Sequence, residues 1–313
     1  MTANAPNSTP AKVRPVPPPG EFPRRVTVEL TNRCNLRCPM CPRHLMETNL
    51  GNMEPMLFRQ IIDDMAQVPG TALVPFFRGE SLLHPQCVEM IAYAKEQGIV
   101  PIQFTTNATQ LTPEVSKALI DLKVDFISFS VDSVDPETYA SIRPGASLEQ
   151  VLKNIRYFCD YRRHNGTQLP EIQVSVVKTS STAKQIPQFV KYWRGLVDRV
   201  RVYEQHSEDG NFGSLAYATS SHPQVRQACH KPFTDLVIYW DGSVALCNHD
   251  WVRENALGNV DCHTIAEIWQ SESYQRVRNA HLNDHNSLEA LCRSCDHWQS
   301  FYLPEGQIGE LYD

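Results

Sequence analysis

Strand-like and helix-like segments alternate along the chain from residue 24 to about residue 205, and this order constrains the fold most. The strand-like runs are Arg25–Leu30, Ala72–Phe77, Val100–Thr106, Phe126–Val131, Glu171–Lys178 and Arg199–Tyr203. The helical patterns between them are Pro55–Met65, Gln86–Gln97, Pro113–Leu122, Leu148–Arg163 and Ala183–Leu196. Repeated β/α units of this kind predict a parallel sheet with right-handed crossovers, and therefore an α/β fold.

Three cysteines follow the first strand-like run with the spacing C-x3-C-x2-C: Cys34, Cys38 and Cys41. Three thiolates can hold three irons of a [4Fe–4S] cube, because such clusters take one cysteine per iron. The fourth iron would then stay open for a small-molecule ligand. The alternative is zinc with His44 as the fourth ligand, although zinc sites usually combine C-x2-C with a second ligand pair.

A second group of four cysteines lies in the C-terminal part of the chain. Cys229 precedes a predicted β-hairpin over residues 233–247, in which Asp241-Gly242 forms the turn and Cys247 ends the second strand. Cys292 and Cys295 form a C-x2-C pair further on. Four cysteines fit a fully ligated [4Fe–4S] cluster and fit zinc equally well, so the spacing alone does not decide between them.

The segment around Cys34, Cys38 and Cys41 resembles the cluster loop of radical S-adenosylmethionine (SAM) enzymes. One departure is Met40, because that family often has an aromatic residue before the third cysteine. The resemblance implies a partial, TIM-like (β/α)6 barrel. It also implies that the open iron of a first [4Fe–4S] cluster binds SAM. Reductive cleavage of SAM would give a 5′-deoxyadenosyl radical, with an external electron donor such as flavodoxin or ferredoxin.

The same resemblance implies which side chains bind SAM. The segment 77–81 is similar to the family's Gly-Gly-Glu-Pro, although Arg78 and Ser81 replace the usual glycine and proline. Chemistry in such barrels gathers at the C-terminal ends of the strands, where the matching segments lie. The side chains that the resemblance assigns to SAM binding are Glu80, Asn107, Ser130, Asp132 and Arg143. Of these, Asp132 could contact either SAM or the substrate.

The order of the C-terminal cysteines, with Gly258-Asn259-Val260 and Glu267-Ile268-Trp269 between them, resembles the SPASM/twitch extension of radical SAM enzymes. This resemblance implies a second, auxiliary [4Fe–4S] cluster held by Cys229, Cys247, Cys292 and Cys295. The predicted domains are a disordered Pro-rich leader (1–23), a radical SAM core barrel (24–205) and a small α+β auxiliary-cluster domain (206–313). Since no cysteine follows Cys295, the shorter twitch form with one auxiliary cluster is expected.

Cys262 lies outside both cysteine groups, in the link between the hairpin and the next helix. A thiol there could return a hydrogen atom to a substrate radical, so the first hypothesis is an epimerase of a small hydroxylated substrate such as a sugar, aminocyclitol or nucleoside. The second is a dehydrogenase that oxidises a secondary alcohol and uses the auxiliary cluster as electron acceptor. A peptide-modifying enzyme and a non-catalytic iron–sulfur protein are further alternatives.

Composition excludes other classes of function. The net charge of −6 gives no basic surface for nucleic acid. No apolar run is long enough for a membrane span, and no signal pattern opens the chain, so a cytoplasmic protein is expected. Ten cysteines in that compartment indicate metal or redox chemistry instead of disulfides.

Overall fold

Parallel strands and helices alternate through the first two thirds of the chain, as the sequence predicts. The computed structural model describes residues 15–46, 49–205, 225–253, 256–302 and 309–312. The strands in this part are β1 (Arg25–Val28), β2 (Ala72–Val74), β3 (Gln103–Thr106), β4 (Phe126–Ser130), β5 (Glu171–Lys178) and β6 (Arg199–Glu204). The predicted α/β class is confirmed.

The helices of this part begin at the start signals in the sequence. Thr112 and Ser147 cap two of them, because each side chain accepts a hydrogen bond from a backbone N–H in the first turn. One short helix, α4, was not predicted, and Asp135 caps it in the same way. The helices are α1 (Pro55–Ala66), α2 (Cys87–Glu96), α3 (Pro113–Asp121), α4 (Pro136–Ile142), α5 (Leu148–His164) and α6 (Ile186–Trp193).

The strands form two hydrogen-bonded sheets that meet at one bridge. β3, β4, β5 and β6 pair in parallel in that order, and β1 pairs in parallel with β2. A parallel bridge between Leu73 and Ile102 joins β2 to the segment before β3. Strand side chains such as Val28, Phe129 and Val174 are 0% exposed, so helices on the outer face cover an apolar wall.

The C-terminal part adds strands to this barrel. β7 (Asp235–Ile238) pairs in parallel with β1, and β8 (Val244–Ala245) pairs antiparallel with β7. β9 (Gly309–Tyr312) pairs antiparallel with β6. The hairpin is therefore present, but its first strand extends the barrel's own sheet. An unpaired edge of β1 would leave backbone N–H and C=O groups without partners, and β7 satisfies them.

The remaining helices pack around the hairpin. They are α7 (Lys231–Thr234), α8 (Ile265–Gln270), α9 (Glu272–Leu282) and α10 (Ala290–Ser294). The end of the predicted leader lies against α8: Trp269 donates from Nε1 to the Pro19 carbonyl at 3.0 Å, and Gln270 donates to the Gly20 carbonyl at 2.8 Å. Residues 1–14 lie outside the described residues. In the described part of the chain, no helix combines the length and apolarity that a membrane crossing needs.

Candidate active site and second cysteine site

The loop after β1 carries the first three cysteines and is held by a network of side chains. Asn32 donates to the Asn49 carbonyl and accepts from the Gly51 N–H, both at 2.8 Å. The Cys41 N–H donates to the Cys38 carbonyl at 3.0 Å. Cys34, Cys38 and Cys41 are half-buried and line one wall of a cavity of about 420 Å³. The structure thus brings the three predicted thiols together at the C-terminal end of β1.

Glu80 lies fully buried beside this loop, at the C-terminal end of β2. Its carboxylate accepts hydrogen bonds from the Thr106 hydroxyl and the Asn107 N–H, each at 2.7 Å, and from the Leu82 N–H at 3.2 Å. Burial raises the pKa of the Glu80 carboxyl, against the lowering effect of these three donors. Glu80 lines the cavity, so a cationic ligand group there would meet an anchored acceptor.

Gly79 lets this segment approach the cysteine loop. A Cβ at this position would lie 2.2 Å from the Thr31 carbonyl oxygen and 2.6 Å from the Arg33 carbonyl oxygen. The Glu80 N–H donates to that Arg33 carbonyl at 2.8 Å. A side chain at residue 79 would therefore push the loop of cysteines away from Glu80.

The other predicted SAM residues divide into two groups. Asn107, Ser130 and Arg143 line the cavity. Asp132 does not line it, because its carboxylate pairs with the Arg143 guanidinium (Nε at 2.7 Å) and accepts from the Val177 N–H at 2.8 Å. Asp132 is buried and adopts a φ of 66°, which aims its carboxylate at these two donors. The structure thus gives Asp132 a contact with Arg143, and a direct contact of Asp132 with a ligand stays a prediction.

The second group of cysteines surrounds a smaller cavity of about 20 Å³. Cys229 precedes α7, Cys247 follows β8, and Cys292 and Cys295 lie in and after α10. Burial, together with repulsion from the neighbouring cysteines, raises the pKa of Cys292 to about 12. An all-sulfur donor set of this kind fits an iron–sulfur cluster, which withdraws the thiol protons on binding. Among the described residues, no three His, Cys, Asp or Glu side chains converge closely enough to hold a single metal ion.

Two histidines that were not predicted as site residues connect the cavities. His249 and His297 line both the large cavity and the four-cysteine cavity, with their ring centroids 4.4 Å apart. Each donates its backbone N–H to the sulfur of the cysteine two residues earlier, at 3.3 Å to Cys247 and 3.4 Å to Cys295. The signal available in the sequence was the repeated Cys-x-His spacing.

A buried ion pair joins the hairpin region to the large cavity. Arg78 forms a bidentate pair with Glu29, at 2.7 Å from Nε and 2.8 Å from Nη2, and both side chains are 0% exposed. Arg78 also donates to the Trp251 carbonyl at 3.2 Å, and its guanidinium lies 4.3 Å from the centroid of the Tyr239 ring. The residue that replaces a family glycine therefore links the ends of β1 and β2 to the segment after β8.

Cys262 lies away from this arrangement. The structure describes it as exposed, on the link between β8 and α8, and it lines neither cavity. Its backbone N–H donates to the Asn259 carbonyl at 3.2 Å, which fixes the link on the outside of the molecule. The described cavities therefore do not include Cys262, and its role as a hydrogen donor stays a prediction.

The fold and the two cysteine sites define a class of enzyme, and sequence comparison agrees with it. Residues 28–170 match the Radical SAM superfamily, and residues 229–296 match the SPASM iron–sulfur cluster-binding domain. The chain belongs to the radical SAM enzymes with a C-terminal SPASM domain. It therefore uses SAM and carries two [4Fe–4S] clusters.

The chain is also similar to individual proteins of known name or structure. The chain is 30% identical to the tungsten-containing aldehyde ferredoxin oxidoreductase cofactor-modifying protein of Pyrococcus furiosus, in an alignment that covers 86% of each chain. The crystal structure of BtrN in complex with AdoMet and 2-DOIA is similar over 87% of this chain and 92% of that one, at 18% identity and a TM-score of 0.58. Streptococcus suis SuiB bound to precursor peptide SuiA is similar over 89% of this chain and 71% of that one, at 15% identity and a TM-score of 0.69.

Proposed function

We propose that the protein is a radical SAM dehydrogenase that oxidises an alcohol group of a small hydroxylated molecule. In this proposal Cys34, Cys38 and Cys41 hold the SAM-binding cluster. Cys229, Cys247, Cys292 and Cys295 hold the second cluster. When bound, the first cluster and SAM supply the radical that takes a hydrogen atom from the substrate, and the second cluster supplies a one-electron acceptor. A reductant such as flavodoxin or ferredoxin would recharge the first cluster.

The observation that carries this proposal is the position of His249 and His297 between the two cavities. Each of these two histidines borders both the proposed substrate space and the four-cysteine cavity, and their ring centroids lie 4.4 Å apart. An electron leaving a substrate radical in the large cavity would have a short, buried route to the second site. An epimerase needs no such acceptor, but it needs a hydrogen donor in the cavity, and Cys262 lies outside it.

Oxidation of an alcohol also releases a proton, and we propose Asp235 as its acceptor because it lines the large cavity. The carboxylates that line the large cavity within the described residues are Glu80 and Asp235. Glu80 already accepts three hydrogen bonds. Asp235 lies at the start of β7 and pairs with Lys231 at 3.4 Å. In the proposed oxidation the substrate would lose one hydrogen atom to the 5′-deoxyadenosyl radical, one proton to Asp235 and one electron to the second cluster.

The comparisons support a small-molecule substrate. The Pyrococcus furiosus relative, at 30% identity over most of both chains, is named for modifying a cofactor. The likeness to SuiB, which was solved with a peptide, stands at 15% identity and supports the fold alone. We therefore favour a hydroxylated small molecule, with a cofactor precursor included in that class, over a peptide.

The proposed SAM contacts are tested at Arg143. Its guanidinium would bind the SAM carboxylate, with Asp132 as the residue that positions it. Replacing Arg143 by Lys removes the planar fork, and we expect SAM affinity to fall about 10-fold, or about 1.4 kcal/mol. Asp132→Asn should weaken SAM binding in the same direction, because the guanidinium loses its anchoring charge. Equilibrium binding of SAM to the reconstituted protein measures both.

Iron content is the internal check on these two variants, and both should keep the wild-type amount. Arg163, an exposed arginine paired with Asp160 on α5, provides the matched control, since Arg163→Lys should leave SAM affinity unchanged. Unaltered SAM affinity in Arg143→Lys and Asp132→Asn together would remove this pair from the SAM site.

The reaction itself is tested by anaerobic turnover with SAM, dithionite and a panel of sugars, aminocyclitols and nucleosides. We expect 5′-deoxyadenosine to form together with a product that has lost two hydrogen atoms. Cys262→Ala should retain product formation at the wild-type rate. Asp235→Asn should slow it by about 100-fold, as expected for loss of a proton acceptor. Mass spectrometry reads both products.

The competing hypothesis gives a different pattern. An epimerised product that has the mass of the substrate in H2O, gains one deuterium in D2O and disappears in Cys262→Ala would overturn the dehydrogenase proposal. Asp235→Glu is the matched control for the proton acceptor, because it keeps the carboxylate and should recover part of the activity.

A further inference from the structure

Two buried N–H groups beside the four cysteines lack a hydrogen-bond acceptor among the described residues. They are Nε2 of His281 and Nε of Arg226. Both residues line the cavity that the four cysteines surround. A buried donor without an acceptor raises the free energy of the folded protein. We therefore expect each group to donate to a partner that binds inside this cavity.

The tautomer of His281 follows from its other ring nitrogen. His281 lies on α9 and is 1% exposed. The Cys229 N–H donates to its Nδ1 at 3.4 Å, so Nδ1 acts as the acceptor. A neutral imidazole that accepts at Nδ1 carries its proton at Nε2. His281 therefore presents a donor next to the four cysteines.

Arg226 is held in place from two sides. Its Nη1 donates to the Cys295 carbonyl at 3.2 Å, and its guanidinium carbon lies 5.0 Å from the centroid of the Trp298 ring. These contacts fix the planar group at the cavity wall and leave Nε buried. Arg226 thus brings both a donor and a positive charge to the site.

We propose that His281 and Arg226 donate N–H hydrogen bonds to sulfur atoms of the second cluster and raise its reduction potential. The inference rests on the proposed four-cysteine ligand set, and not on the identity of the substrate. Reduction adds negative charge to the cluster and its thiolates. Hydrogen bonds to the sulfurs and a nearby cation stabilise that charge, so they favour the reduced form. The two residues tune the cluster and touch neither substrate nor SAM.

Redox titration of the full-length protein with both clusters, followed by EPR, tests this proposal. His281→Leu and Arg226→Met, which both remove the N–H donor, should each shift the midpoint potential of the second cluster to a more negative value. The potential of the first cluster and the iron content should not change. His281→Gln, whose amide can still donate, should recover part of the shift. Leu291→Met alters the same cavity wall without removing a donor and serves as the matched control.

If a variant loses iron, a measurement on the unaltered protein still tests whether His281 donates to a cluster sulfur. Pulsed EPR of the reduced second cluster should show coupling to a ring nitrogen in protein whose histidines carry 15N in the imidazole only, because the backbone N–H groups of His249 and His297 also donate to cysteine sulfurs. Absence of this ring-nitrogen coupling, or an unshifted potential in His281→Leu and Arg226→Met together, would overturn the inference. Wild-type protein that binds only about four irons would instead refute the ligand set, which is a separate failure.

Discussion

Replacing Cys34, Cys38 and Cys41 together by Ala is expected to abolish SAM cleavage and to leave about four irons per chain, where the wild type should hold about eight. The reason is structural: these three thiols line the large cavity, and the other four surround a separate one. Each set would lose or keep its cluster independently. Iron and sulfide analysis, together with 5′-deoxyadenosine formation under dithionite, measures both effects.

Cys262→Ala is the matched control for the triple substitution. It removes an exposed thiol that lines neither cavity, so all the iron and all the SAM cleavage should remain. The converse variant, Cys292→Ala with Cys295→Ala, should lose the second cluster and keep the first. SAM cleavage that survives the triple substitution would contradict the assignment of the first cluster.

Arg78→Ala is expected to destabilise the protein by about 3–5 kcal/mol, because it leaves the Glu29 carboxylate buried without its partner. Glu29 is 0% exposed, and its remaining donor is the Trp240 N–H at 3.2 Å. The same change removes the contact with the Trp251 carbonyl. Denaturant unfolding under anaerobic conditions measures the loss, and reduced retention of the second cluster should accompany it.

Two controls separate this buried pair from ion pairs in general. Lys178 and Glu204 form a pair of which Lys178 is 43% exposed, so Lys178→Ala should cost less than about 1 kcal/mol. The double variant Glu29→Leu with Arg78→Met removes both charges and should be much closer to wild type than Arg78→Ala. A single Arg78→Ala variant with wild-type stability would show that the pair contributes nothing.

Much of the barrel was predictable because its signals are local. Each β/α unit carries its own apolar strand, and some of the helices carry their own cap, such as Thr112 for α3 and Ser147 for α5. The cysteines were equally visible, since their chemistry depends on spacing within short segments. The grouping of Cys229 and Cys247 with Cys292 and Cys295 needed the resemblance to a known domain, because nothing local indicates that these segments meet.

The contacts that the sequence did not reveal are those between distant segments. The partner of Arg78 is Glu29, and an ionic side chain carries no mark of which opposite charge it will meet. Asp132 was expected to meet a ligand, but the chain bends at a positive φ and turns its carboxylate toward Arg143. Cys262 was selected because it lies in a loop outside both cysteine groups, and a loop position does not tell which side of the molecule it faces.

The parallel pairing of β1 with β7 has a consequence for how the protein is made. β1 leaves the ribosome before β7 (Asp235–Ile238), its neighbour in the sheet. The rest of the α/β barrel is synthesised between the two strands. Contacts between such distant segments form slowly. During synthesis the first cysteine loop therefore follows a strand, β1, whose edge toward β7 is still unpaired. We expect iron–sulfur assembly on the two sites to be post-translational, with the closing of this edge as the step that shelters both clusters.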